Sequence, residues 1–186
     1  MITEKEHTRT HIRNTTAKLI AELGFSGVKT KKIAEACQVS DGLIFKYFKS
    51  LDGLFTEVCE HCVKQFTNFA IDANMSSNQE MLQAFTFAFF EHNLNQPESF
   101  LIYMRSVYER KDLLEKIPAH TYNSGLMQEI EFRFVSKYGE VDGLLLFRAF
   151  RNMLYQEIFN TLLEKNDSPF ATKHASYRLS LLFFPE

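Results

Sequence analysis

Between Thr30 and Phe48 two short apolar patterns of helical spacing stand on either side of Gln38-Val39-Ser40. Runs this short do not hold a helix in water, where about 12–15 residues are needed even with a favourable composition. Two such helices joined by three residues must lock against each other and against a third element. Counted from Thr30, the fourth, eighth, tenth, fifteenth and eighteenth places hold Ile33, Cys37, Val39, Ile44 and Tyr47, all apolar or amphipathic. The fifth place, where the second helix crosses, holds the small Ala34. The ninth, where the turn requires positive φ, holds Gln38 instead of Gly, at a cost of roughly 1 kcal/mol. This is the packing pattern of a helix-turn-helix over residues 29–48; spacing alone also fits an ordinary helical corner.

Charge favours the first reading, although lysines taken alone also fit a plain solvated face. Lys29, Lys31 and Lys32 lie at the start of the first short helix, and Lys46 and Lys49 lie on and just past the second. Free N–H groups at a helix start, with lysines added, bind phosphate well. If Ile44, Tyr47 and Phe48 pack inward, Asp41, Gly42, Leu43 and Lys46 face outward on a helix that fits the major groove. Residues 1–50 hold nine Lys and Arg against five Asp and Glu, whereas the remainder holds 12 against 18. A basic quarter on an acidic body implies that the first quarter meets the polyanion.

The remaining chain reads as helix throughout, about nine helices in all. A first helix, with Thr3 and Glu6 at capping-box spacing, carries Ile12, Thr16, Leu19, Ile20 and Leu23 on one face and ends at a left-handed Gly24. A fourth helix capped by Ser50 or Asp52 carries Leu54, Val58, Cys62, Phe66 and Phe69. Breaks at Asn74–Asn78, Gln96-Pro97, Ile117-Pro118 and Asn166–Pro169 bound helices over 79–94, 97–108, 120–138, 142–165 and a terminal one to about Phe184. The fold class is all-α: a helix-turn-helix domain over 1–50 and a helical sensing and dimerisation body over 51–186. With no long apolar run, the longest being Ala84–Phe90, no membrane span is expected. The start Met-Ile-Thr-Glu-Lys-Glu has no secretory character, and three cysteines fit a reducing cytoplasm.

The stretch ELGFSGVKTKKIAEACQVSDGLIFKYFKSLDGLF, residues 22–55, resembles the TetR/AcrR family of bacterial transcriptional regulators. Gly24-Phe25, Thr30, Ile33-Ala34, Val39-Ser40, Gly42, Ile44-Phe45, Tyr47 and Phe48-Lys49-Ser50 carry the likeness. It implies a homodimeric, non-enzymatic repressor that binds a palindromic operator in double-stranded DNA and is released by a small ligand held in the helical body. Lys29, Thr30, Lys31, Tyr47 and Lys49 are then expected on phosphates, with Ser40 at the turn. Asp41, Leu43 and Lys46 are expected at base edges, with Gly42 permitting close approach. Leu51 stands where the family commonly has Lys, and Lys49 is expected to take its place.

For the body, Phe66, Phe85, Phe89, Phe100, Tyr103, Met104, Tyr108, Met127, Phe132 and Phe150 are expected to line an apolar ligand cavity, or else to form plain core. The helix from Asp142 is apolar nearly all round and the terminal helix ends in Leu181-Leu182-Phe183-Phe184, so both need cover. A symmetric partner would supply it through Phe147, Leu154, Ile158, Leu162, Tyr177, Leu181 and Phe184. Cys59 and Cys62 share a helix face, but two thiols are not a zinc site and His61 points elsewhere. No metal or cofactor is expected. Gly-rich phosphate loops, HExxH and Gly-x-Ser-x-Gly do not occur. The competing function is an all-α protein–protein adaptor with a basic head.

Overall fold

The computed structural model describes residues 4–71, 75, 77–118, 125–164 and 169–185, with backbone alone for 163, 164 and 169–172. Thr3, Asn74, residues 120–124 and residues 165–168, on which some of the expected caps and helix ends fall, lie outside the described residues. Among those described there are ten helices and no strand: α1 (Glu4–Gly27), α2 (Thr30–Cys37), α3 (Asp41–Phe48), α4 (Leu51–Phe66), α5 (Asn78–Asn95), α6 (Pro97–Glu109), α7 (Lys111–Leu114), α8 (Gly125–Tyr138), α9 (Glu140–Glu164) and α10 (Pro169–Phe183). The four-residue α7 has no counterpart in the sequence pattern. No helix among the described residues is long and apolar enough to cross a membrane.

Two compact units emerge. One holds residues 1–65 together with 98–122, and the other holds residues 66–97 and 123–186.

In the first unit α1 is interrupted where the sequence places its end. Gly24 has φ 72° and ψ 168°, a conformation open essentially to glycine alone, and one more helical turn follows. Phe25 N, freed by the break, donates to Glu109 Oε2 at 3.0 Å. Phe25 packs edge-on against Phe55 with centroids 5.3 Å apart. Around them Ile12, Ile20, Val28, Ile33, Ile44, Leu54 and Val58 are buried. Leu23, expected on the apolar face of α1, is exposed just before the break. Arg9 pairs with Glu57 and lies over the Phe48 ring at 5.1 Å.

The second unit is built on a tight helical hairpin. α8 and α9 are joined by Gly139 alone, at φ 83°, with its N–H on Val135 O at 2.9 Å. So short a link presses the helices together. A Cβ added at Gly143 would stand 2.6 Å from Val135 Cα and 2.7 Å from Phe134 O. Phe134 lies at the hub of the core, with Phe147, Phe150, Phe183 and Phe184 at centroid distances of 5.9, 5.7, 5.7 and 4.7 Å. Tyr138 Oη donates to Phe183 O, tying the end of α10 to α8.

This core corrects the expected dimer surface. Phe147, Leu154, Ile158 and Phe184 are buried within the chain and offer no surface to a partner. Phe147, Leu154 and Ile158 share one face of α9, and Phe184, just past α10, packs on Phe134 of α8. Tyr177 and Leu181 are exposed, and Leu162 is half-buried. The surface also holds Leu145, Met153 and Leu182. A groove of about 560 Å³ runs along Met153, Glu157, Ala175, Arg178, Leu179, Leu181 and Leu182.

Candidate nucleic-acid interface

The turn between α2 and α3 is made by Gln38, at φ 56° and ψ 42°. Its N–H meets Glu35 O at 3.2 Å, and the Val39 N–H meets Ala34 O at 3.0 Å. Together they form a Schellman motif, whose left-handed residue is usually glycine. The positive φ expected at this place is present, and glutamine adopts it. Ser40 then caps α3: Leu43 N donates to Ser40 Oγ at 3.3 Å. Asp41 follows in the first turn, where a negative charge meets the positive end of the helix dipole.

Ile44 and Phe48 turn α3 into the core, and Leu43 and Tyr47 are half-buried. Asp41, Gly42, Phe45 and Lys46 are exposed on the opposite side. Phe45, 45% exposed, joins this face although the sequence analysis assigns it no DNA contact. Its place four residues after Asp41, on the outward stripe, was the available signal. Gly42 is not demanded by packing: an added Cβ would meet nothing nearer than Ser40 Oγ at 4.0 Å.

The corner after α3 is tighter than the sequence implies. Lys49 has φ 63° and ψ −38°, and the Ser50 N–H reaches back to Phe48 O at 2.7 Å. This is a γ-turn of the rarer, positive-φ kind. It directs Lys49 outward and brings Phe48 O against α4. A Cβ at Gly53 would lie 2.3 Å from that oxygen. Ser50 caps α4 through Gly53 N at 2.9 Å, and Leu51 is half-buried.

Lys29 occupies the N-cap position of α2 with extended backbone and supplies no side-chain cap. The early N–H groups of α2 are thus left to the surface beside Lys31 and Lys32, both exposed; Thr30 is half-buried at the same end. Among the described residues none of Lys29, Lys31, Lys32, Lys46 and Lys49 has an acidic partner, whereas Arg9 is paired with Glu57 and Arg110 with Asp52 and Asp112. All five cations of the helix-turn-helix are thus left without an acidic partner among the described residues, an arrangement suited to a run of phosphates.

Both thiols of α4 are buried. Cys59 Sγ contacts Ser106 Oγ at 3.2 Å. Burial pushes Cys59 up to about 11 and Cys62 up to about 12, so both stay protonated at neutral pH. Cys37 is buried at its packing position, its thiol also raised by burial. Among the described residues no three His, Cys, Asp or Glu side chains gather as metal ligands.

The expected pocket residues divide between the units. Phe100, Tyr103, Met104 and Tyr108 are on α6 in the first. Phe66, Phe85, Phe89, Met127, Phe132 and Phe150 are in the second. Phe66, Phe85, Phe89, Phe100 and Phe150 are buried, and Tyr103, Met104 and Met127 half-buried. Tyr108 is 81% and Phe132 64% exposed, so neither lines a cavity within its unit. Both sit on the outward stripe of their helices. A groove of about 510 Å³ in the second unit, along Met75, Glu80, Gln83, Ala84, Phe87, Lys173 and Ser176, uses none of the expected residues.

Residues 12–58 match the sequence model of bacterial regulatory proteins, tetR family. No curated protein matches the chain. Solved structures match over nearly the whole length. A putative transcriptional regulator from Pseudomonas aeruginosa PAO1 superposes with a TM-score of 0.71 at 19% identity, covering 95% of this chain and 90% of the other. A TetR-like transcriptional regulator from Rhodococcus sp. RHA1 gives 0.69 at 13%, covering 93% of each. The TetR family regulator PfmR from Thermus thermophilus gives 0.63 at 18%, covering 92% and 96%. At such identities these likenesses carry the fold of the whole chain, and the sequence match carries its first domain. Residues 12–58 match the DNA-binding domain of the tetR family of bacterial regulatory proteins, with α2 and α3 as its helix-turn-helix, in a chain with the fold of TetR-family regulators.

Proposed function

We propose that this regulator is a cytoplasmic homodimer that represses from a palindromic operator and leaves it when a small apolar ligand occupies the helical body. The observation that carries the DNA contacts is the outward face of α2 and α3. There Lys29, Lys31, Lys46 and Lys49 stand exposed without acidic partners among the described residues, around an α3 face of Asp41, Gly42 and Phe45. Lys29, Thr30, Lys31, Tyr47 and Lys49 hold phosphates, with Ser40 fixing the start of α3. Asp41, Leu43 and Lys46 address base edges, an acid being suited to cytosine N4 and an apolar side chain to a thymine methyl. Phe45 joins them as a second apolar contact.

The dimer is supported by the exposed Leu145, Met153, Tyr177, Leu181 and Leu182 on α9 and α10. A stable interface buries about 800 Å² per partner, and two adjacent helices can provide that area. A ligand releases the operator only to the extent that it binds the non-binding arrangement of the dimer more tightly.

The test is selection of bound duplexes from a random pool, with the mass in solution measured alongside. A two-fold symmetric consensus with half-sites about 34 Å apart, or a multiple, is expected, together with a particle of twice the chain's 21.7 kDa. Enrichment of an asymmetric site by a monomer would defeat the proposal.

A further inference from the structure

The groove along α9 and α10 is apolar except for two residues. Glu157 and Arg178 line it, both exposed and of opposite sign. Among the described residues neither side chain has an ion-pair or hydrogen-bond partner. Single charges are ordinary on a surface, but these two interrupt apolar rows. Leu145, Ala149, Met153 and Glu157 recur every four residues on α9, and Arg178 and Leu182 do so on α10, all exposed. Rows of this spacing are the ridges by which helices pack into one another.

The register of the charges follows from the helix directions. α9 and α10 are consecutive and packed together, so they run antiparallel. The turn from Met153 to Glu157 on α9 therefore advances the same way as the turn from Leu182 back to Arg178 on α10. All four residues line the groove. Met153 and Leu182 thus stand on its two walls at one level, and Glu157 and Arg178 at the next. This surface matches itself. A two-fold axis running along the helices sets α9 of one chain over α10 of its partner at equal height. Glu157 then meets the partner's Arg178, Arg178 meets the partner's Glu157, and Met153 meets the partner's Leu182. A partner without matching charges would strip water from both and leave them unpaired. One acid and one base side by side also give no advantage to a strongly acidic or a strongly basic partner.

We infer that two reciprocal ion pairs, each between Glu157 and the partner's Arg178, fix the register of the dimer and make the groove selective for a second copy of this chain. This deepens the dimeric reading above, on which it rests, by naming the residues that choose the partner. The apolar ridges supply the buried area, and the charges supply the specificity.

Charge reversal in the full-length chain, with self-association followed by sedimentation, tests it. Glu157→Arg and Arg178→Glu each put two like-charge contacts into a symmetric dimer. Each is expected to weaken self-association about 100-fold, roughly tenfold per contact. An equimolar mixture of the two variants has opposite charges at both contacts and should recover a dimer as tight as the wild type. A pair formed within one chain would be broken in both variants and not mended by mixing, so recovery belongs to the interface. The double variant Glu157→Arg/Arg178→Glu should pair with itself and not exchange subunits with the wild type. Single variants that associate as tightly as the wild type, or a mixture that does not recover, overturn the inference and leave the dimer standing. A wild-type chain that stays monomeric would defeat the dimer itself. Should a single variant fail to fold, exchange between the double variant and the wild type still decides, and free exchange there overturns the inference.

Discussion

Gly42→Ala separates the demands of folding from those of DNA. Gly42 is the second residue of α3, and within the chain its position is open: the nearest atom to an added Cβ is Ser40 Oγ at 4.0 Å, an ordinary contact distance. Alanine there should stabilise the protein. The gain is about 1 kcal/mol in a helix interior and about half that near the first turn. For a chain of 186 residues that half corresponds to a rise in melting temperature of about 1–2 °C. The effect on DNA has the opposite sign. If the backbone at Gly42 lies against the groove, a methyl there pushes α3 back by about 1 Å and loosens the contacts of Asp41, Lys46 and Phe45. Loss of one well-formed base contact costs about 1–3 kcal/mol, or roughly 5- to 150-fold in affinity. Thermal unfolding of the free protein and titration of the selected operator at fixed salt measure the two effects. A variant that melts lower refutes the reading of open space. One that melts higher and binds its operator with unchanged affinity refutes the close approach.

Three further substitutions probe other parts of the argument. Lys49→Gly removes a side chain from a residue at φ 63°, so it should raise stability by about 1 kcal/mol. The same change should lower the slope of log affinity against log salt by about 0.9, the share of one phosphate; Lys49→Ala should lower the slope without the stability gain. Gly143→Ala brings a methyl to 2.6 Å from Val135 Cα, with backbone on the receiving side. The overpacking outweighs the gain in helix propensity, for a net loss of about 1–2 kcal/mol read as a lower denaturant midpoint at unchanged slope. His61 is held below its ordinary 6.5, chiefly by burial and then by Arg13 and Lys64. As pH falls the unfolded chain takes up this proton first, so stability should decline below about pH 6.5. His61→Gln should flatten that part of the profile, and an unchanged profile would remove His61 from its cause.

The helix-turn-helix was legible because its constraints are local. Five packing places, one small residue and one positive φ fall within nineteen residues, and each is a property of a side chain or of a backbone position. Gln38 shows the limit of that reading: glycine is preferred there, but the Schellman hydrogen bonds hold glutamine at φ 56°. Lys49 was not legible. Its positive φ follows from the short path between Phe48 and the cap at Ser50, and lysine carries no sign of it.

The body was harder to read for a related reason. A helix that is apolar nearly all round does not say which side its own chain covers. On α9, Phe147, Phe150, Leu154 and Ile158 recur at three- and four-residue intervals and are buried, while Leu145 and Met153 are left outside. The choice is made by Gly139 and Gly143, which press α8 against one side of α9 and so commit that side to the monomer. The faces left apolar and uncovered are those the proposed dimer would use. The sequence signal for which apolar residues stay outside therefore lay less in the bulky residues than in two glycines, which assign part of them to the chain's own core.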